Sequence, residues 1–170
     1  VRQNAFGEVI PACSHAVVDE AHQLEDIATQ YFGFAISTYR VEDFARDLER
    51  YAASAIDNQK ARIDLEKSID KLRDFARAFF SDLAYAHKGT GSARGEERIR
   101  ASERSLADTR EGAAYLAGAL DLVEATLTLM AKPSPEDNPD GGQDAGSLGR
   151  RAGEMRDELR FLLRASDPAY

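Results

Sequence analysis

The sequence predicts an all-α protein, a helical bundle preceded by a short strand and loop. Apolar residues recur at alternating spacings of three and four along four tracts, and glycine- or proline-rich segments separate several of these tracts. Such spacing places apolar side chains on one stripe of a helix. With 43% hydrophobic residues in 170, the chain can build one core. Because an isolated amphipathic helix is marginal in water, each stripe must pack against another helix.

The N-terminal segment has a different pattern from the rest of the chain. Residues 14–18 predict a short apolar strand, which ends at the acidic pair Asp19 and Glu20. From residue 20 to residue 32 the pattern predicts one helix, ended by Gly33.

Four apolar stripes follow and predict the helices of the bundle. In chain order they are Val41, Phe44, Leu48, Tyr51 and Ala55; Leu65, Ile69, Leu72, Ala76, Phe79 and Leu83; Ala113, Leu116, Leu120, Val123, Leu127 and Met130; and Leu148, Ala152, Met155, Leu159 and Leu162. Residues 88–95 are rich in glycine, and residues 133–146 carry four acidic residues and no basic ones. Both segments are predicted loops.

Composition excludes several classes of function. A net charge of −8 argues against coating nucleic acid, because domains that do so are usually basic. The single cysteine, Cys13, forms no internal disulfide. We find no run of ~20 apolar residues and no secretion segment, so we expect a cytoplasmic protein without a membrane partner. Since the sequence begins with Val1, we also expect a piece of a longer protein.

A strand that ends in paired carboxylates is a recurring arrangement in nucleotide hydrolysis. The strand end directs one carboxylate toward the magnesium on the β- and γ-phosphates, and a second carboxylate can orient the attacking water. The alternative is a helix N-terminus, where acidic side chains satisfy free amides. Both interpretations can hold, since a strand–helix junction also begins a helix. The tetrapeptide Asp19-Glu20-Ala21-His22 resembles the Walker B box, or motif II, of superfamily 2 helicases.

The residues around this box resemble one branch of these helicases, the DinG/XPD type. Residues 18–26, VDEAHQLED, are similar to the form in which Asn or Gln, Leu and an acidic pair follow the box. In that family a helical insertion, the arch domain, follows motif II. The resemblance implies that residues 1–34 are an edge of the motor domain, 35–166 the arch, and 167–170 a return toward the motor.

The resemblance also implies roles for three residues of the box. Asp19 would bind magnesium through water, Glu20 would orient or activate the attacking water beside ATP, and His22 would couple the nucleotide state to neighbouring motor motifs. It further implies ATP and Mg²⁺ as ligands, single-stranded DNA and the rest of the motor as partners, and 5′-to-3′ unwinding.

The chain departs from the complete family pattern in several respects. It contains no Gly-x-x-x-x-Gly-Lys-Ser/Thr phosphate loop, so we expect the segment alone neither to bind nor to hydrolyse ATP. Family members often hold an iron–sulfur cluster on four cysteines upstream of the box, and any such cluster would belong to the longer protein. Because the strand at residues 14–18 has no sheet here, we predict that residues 1–18 are poorly ordered or associate with another surface.

Three alternatives accompany this interpretation. The first is a zinc cluster formed by His15, Asp19, Glu20, His22 and Glu25, although the His-Glu-x-x-His pattern is absent. The second is a non-enzymatic interaction module formed by the helical bundle, an alternative that an upstream phosphate loop would exclude. Candidate DNA contacts are Arg94 and Arg98 near the glycine-rich segment and Arg156, Arg160 and Arg164 on the last helix; their alternative is a solvated face of ion pairs.

Overall fold

A computed structural model describes residues 15, 17, 19–24, 27, 33–56, 58–87, 99–130 and 145–164. The chain divides into two compact units, Val1–Phe34 and Ala35–Tyr170. All regular secondary structure within the described ranges is helical, which confirms the predicted fold class. Of the predicted strand, only His15 and Val17 are described, and both have irregular backbone. The prediction for residues 1–18 otherwise lies outside the described part, as do most of the two predicted loops.

The second unit contains five α-helices within its described residues. They are α1 (Thr38–Ala55), α2 (Gln59–Ala86), α3 (Glu103–Leu106), α4 (Arg110–Met130) and α5 (Ala145–Leu163). The single-turn helix α3 continues through a 3₁₀ turn, Ala107–Thr109, into α4. In the first unit, a 3₁₀ turn spans Ala21–Gln23, and Leu24 and Ile27 are α-helical. The rest of the helix predicted from residue 20 to residue 32 lies outside the described residues, apart from the turn at Glu20.

Polar caps determine where three of these helices begin. The Ser37 side chain accepts a hydrogen bond from the backbone N–H of Arg40 at 3.2 Å. Asn58 Oδ1 accepts from the N–H groups of Lys60 and Ala61, so α2 starts with three residues between it and the end of α1. Ser102 forms a reciprocal capping box with the third residue of α3. Each cap satisfies amides that the first helical turn leaves free.

Contacts between the helices define an antiparallel four-helix bundle. The packing order is α1 on α2, α2 on α4, α4 on α5, and α5 back on α1. The short connection makes α1 and α2 antiparallel. Between α2 and α4, Gly112 lies against Phe79, while Tyr115 stacks on Phe75 with ring centroids 5.4 Å apart. Since the residue numbers run in opposite directions, α2 and α4 are antiparallel, as in up-and-down bundles.

The four predicted stripes form the core of this bundle. Most of their members are buried, while Tyr51, Leu83, Met130 and Leu162 are half-buried. The sequence prediction missed small residues that fill the helix contacts, namely Ala45, Ala52, Ala117, Ala119 and Ala145. Each large buried side chain contributes about 1.5–3 kcal/mol relative to exposure, so the core fixes the bundle.

Helix α4 is more apolar than the sequence reading allowed. The stretch Ala107–Met130 is long and apolar enough to cross a membrane by length and composition, which corrects the expectation that no run approaches this length. One side of α4 is nevertheless core, with Leu116, Leu120, Val123 and Leu127 fully buried between its neighbours. A helix that packs against several neighbours in a bundle buries much of its surface, and its composition is apolar for that reason.

Buried ion pairs join α1 to α5. These two helices contact each other less than any other neighbouring pair in the bundle does. Asp47 is only 4% exposed and bonds Arg50 and Arg151, while Glu158 bonds Arg40. The pairing of residue 40 with 158 and of 47 with 151 makes these helices antiparallel as well. A buried carboxylate without a partner is costly, so these pairs fix the register in which the bundle closes.

Candidate functional site

The box begins with a turn in an uncommon backbone conformation. Glu20 has φ 51° and ψ 39°, in the left-handed region, and it is the one non-glycine residue with positive φ among those the structure describes. This conformation costs an L-residue roughly 1–2 kcal/mol. The carbonyl of Glu20 accepts a hydrogen bond from the N–H of Gln23 at 2.9 Å, which closes the following 3₁₀ turn. Backbone strain of this kind concentrates at functional sites.

Two hydrogen bonds orient the carboxylates of the box. Asp19 Oδ1 accepts from the backbone N–H of Glu20 at 2.9 Å. His22 Nδ1 lies 3.1 Å from Glu20 Oε2, a hydrogen bond when that nitrogen carries the proton. Both partners of this second bond are largely exposed. The structure therefore brings together the three residues selected from the sequence, through contacts within four consecutive positions.

The oxygen and nitrogen donors of the box differ in how well they suit zinc and magnesium. Within the described residues, no group of three or more His, Cys, Asp or Glu side chains is placed to hold a metal ion. A zinc site of the kind considered above would need such a group, and Glu25 lies outside the described residues. Magnesium keeps most of its waters and needs only one or two carboxylates. The exposed carboxylate of Asp19 fits this second mode of binding.

The candidate DNA-binding arginines on α5 are tied to acidic side chains. Arg156 bonds Asp121 at 2.8 Å, Asp157 at 2.9 Å, and also Glu124. Arg160 bonds Asp121 at 2.7 Å. The hydrogen bond with Asp157 is the main cause that raises the pKa of Arg156, and the same bond lowers the pKa of Asp157. This geometry favours the ion-pair interpretation for both arginines.

Of the other three candidate arginines, the structure describes only Arg164. Arg164 is exposed at the end of α5, where its backbone N–H donates to the carbonyls of Arg160 and Phe161. Arg94 and Arg98 lie outside the described residues.

A second ionic network, which the sequence analysis did not single out, joins α1 to α2. Arg73 donates two hydrogen bonds to the carboxylate of Glu42, at 2.9 and 3.1 Å, and also bonds Glu49. These hydrogen bonds lower the pKa of Glu42 and of Glu49 below their usual values, and they raise the pKa of Arg73. A two-pronged contact with a carboxylate suits the planar guanidinium, and it identifies Arg73 as a structural residue.

Part of the chain is similar to two known bacterial proteins. The chain is 40% identical over 80 residues to the ATP-dependent DNA helicase YoaA of Escherichia coli, and 34% identical over 76 residues to the helicase of the same name from Haemophilus influenzae. These matches cover 46% and 44% of this chain and 12% of each relative. No protein-family model and no solved structure matches the chain. The match to two helicases supports the resemblance identified from the box.

Proposed function

We propose that this chain, a segment of a DinG-type DNA helicase by its similarity to YoaA, contributes motif II and the arch domain to a longer parent protein. The observation that carries the proposal is the turn Asp19-Glu20-Ala21-His22. Its two carboxylates are oriented by local hydrogen bonds, and it occurs in a chain 40% identical over 80 residues to a protein named as an ATP-dependent DNA helicase. The helical bundle that follows is the proposed arch.

Each residue of the box has a proposed role. Asp19 holds magnesium through water, with its carboxylate fixed by the N–H of Glu20. When bound, magnesium neutralises charge on the β- and γ-phosphates of ATP. Glu20 orients and activates the attacking water, and its carboxylate is held by His22. Through this contact, His22 would couple the Glu20 carboxylate, and with it the nucleotide state, to neighbouring motor motifs.

The proposed reaction is ATP to ADP and phosphate, coupled to 5′-to-3′ unwinding of DNA. The phosphate loop that binds ATP belongs to another part of the parent protein, so the 170-residue chain alone is inactive. The arch would guide single-stranded DNA past the motor. Arg94, Arg98 and Arg164 are its proposed contacts, and Arg156 and Arg160 contribute less because α4 carboxylates and Asp157 neutralise them. The proposed location is the cytoplasm.

The test is the replacement Glu20→Gln in the full-length parent protein. The amide cannot accept the proton of the attacking water, so DNA-stimulated ATP hydrolysis should fall by about 10²–10⁴-fold, while nucleotide binding persists. The matched control is Glu154→Gln, the same change at an exposed position of α5. Its ATPase rate should equal that of the wild type. ATP hydrolysis undiminished in Glu20→Gln would contradict the role proposed for Glu20.

A further inference from the structure

Arg40 lies in the first turn of α1 and joins two parts of the structure through a single nitrogen atom. Its Nη1 donates a hydrogen bond to the carbonyl of Ala35 at 2.9 Å and also bonds the carboxylate of Glu158 on α5. Ala35 belongs to the segment 34–37, which leads into α1 and has no regular secondary structure. Arg40 therefore ties the entering segment to α5. We call Ala35, Arg40 and Glu158 the entry clamp.

Two further contacts hold the entering segment on the bundle. Ile36 is partly buried and packs against the hydrophobic core. Ser37 has extended backbone, with φ −140° and ψ 156°, and its side chain caps α1 by accepting from the N–H of Arg40. A segment without such contacts opens easily, because few buried groups oppose its movement. Residues 35–37 are thus fastened to the bundle on both sides of the peptide that bonds Arg40.

The entry clamp lies beside both connections between the bundle and the rest of the proposed parent protein. Helices α1 and α5 are antiparallel, so the start of α1 lies next to the end of α5 at Leu163. In the proposed function, the chain enters the arch at residue 35 and returns toward the motor after residue 166. A displacement of the motor would therefore reach the bundle at the end that the clamp holds together.

A second buried ion pair between the same two helices shows what is particular to the entry clamp. Asp47 bonds Arg151 about two helical turns farther along α1. The arginines are equally exposed, at 37% for Arg40 and 36% for Arg151, and the carboxylates are 7% and 5% exposed. Both pairs hold α1 against α5, but the pair of Arg40 also includes the carbonyl of the entering segment. Closure of the bundle does not explain that additional bond.

We propose that Arg40 is a positioning residue for DNA unwinding, which makes both connections of the arch move with the bundle as one body. The inference rests on the proposed function, in which the bundle is the arch of a helicase. Closely packed elements transmit strain, whereas an extended segment without contacts absorbs it. Arg40 acts through Ala35 and Glu158 and takes no part in binding or hydrolysing ATP. Its loss should uncouple hydrolysis from strand separation.

The test measures the number of base pairs separated per ATP hydrolysed by the full-length parent protein. Unwinding of a 5′-tailed duplex is followed by fluorescence, and phosphate release is recorded in the same reaction. Arg40→Gln should leave the rate of ATP hydrolysis with single-stranded DNA unchanged and lower the ratio about fivefold, within the range by which single residues alter coupling. The matched control Arg151→Gln, which removes the other buried pair, should keep the wild-type ratio.

A conservative variant separates the entry clamp from a general loss of stability. Because one nitrogen of Arg40 makes both bonds, the ammonium group of lysine can replace it, and Arg40→Lys should restore the wild-type ratio. If Arg40→Gln does not fold, Glu158→Gln with Asp47→Asn as its control provides the same comparison. Each variant is assayed below its own Tm, so that unfolding does not contribute to the ratio.

Three results would overturn the proposal. They are an unchanged ratio in Arg40→Gln, an equal decrease in Arg151→Gln, and a ratio in Arg40→Lys as low as in Arg40→Gln. If Glu20→Gln abolishes ATP hydrolysis while Arg40→Gln keeps the wild-type ratio, the proposed function stands and the inference about the entry clamp alone is wrong.

Discussion

The ion pair between Glu158 and Arg40 should stabilise the closure of the bundle, and Glu158→Gln tests it. The carboxylate is 7% exposed and bonds Arg40, whose guanidinium also donates to the carbonyl of Ala35 at 2.9 Å. Glutamine keeps the shape and removes the charge. Removing one partner of a fully buried ion pair costs about 3–5 kcal/mol. Because Arg40 is 37% exposed, water compensates part of this loss, and we expect about 1–2 kcal/mol.

The assay is thermal unfolding of the 170-residue chain, followed by circular dichroism. For a unit of this size the expected loss corresponds to a decrease in Tm of roughly 3–8 °C. The control Glu154→Gln, one helical turn earlier and exposed, should change the free energy of unfolding by less than about 0.5 kcal/mol. Equal Tm values for the two variants would refute the reasoning that a buried pair closes α1 against α5.

Three further predictions concern pH, packing and ligand binding. Arg73 lowers the pKa of Glu42 and of Glu49, so the contribution of these ion pairs to stability is complete above about pH 4.5 and is lost as pH falls through the lowered pKa values. Arg73→Gln should therefore flatten the pH dependence of the free energy of unfolding, measured with urea between pH 6 and pH 3. Leu120→Ala should cost about 2–5 kcal/mol in urea unfolding because Leu120 is fully buried, while Leu129→Ala should cost less than about 0.5 kcal/mol, and equal costs would contradict the assignment of faces on α4. Calorimetry should detect negligible binding of Mg-ATP to the 170-residue chain, and micromolar affinity would contradict the need for a phosphate loop from elsewhere in the parent protein.

The core was predictable from sequence because helical spacing alone assigns a side chain to the buried face. The burial of Leu48, Leu72 and Leu120 could be predicted without knowing which residues they contact, because the apolar face of any neighbouring helix can bury them. Asp47 and Glu158 were not predicted as buried. They fall at the same spacing as core residues, and each is paired with an arginine that lies more than 100 positions away in the chain, which spacing along one helix does not reveal.

The box shows a similar division between what sequence predicts and what it does not. Its four residues could be selected from the sequence because they resemble a helicase motif, in which the proposed chemistry would use paired carboxylates. The left-handed backbone of Glu20 and the bond from His22 to its carboxylate depend on three-dimensional geometry, and no spacing rule predicts them for a glutamate.

The most direct test of the central proposal, that this chain is part of a DNA-dependent motor, is ATP hydrolysis by the purified full-length parent protein with and without single-stranded DNA. The proposal predicts hydrolysis that single-stranded DNA stimulates, together with unwinding of a duplex that carries a 5′ tail. Absence of hydrolysis under both conditions would contradict the motor and would favour a non-enzymatic helical interaction module.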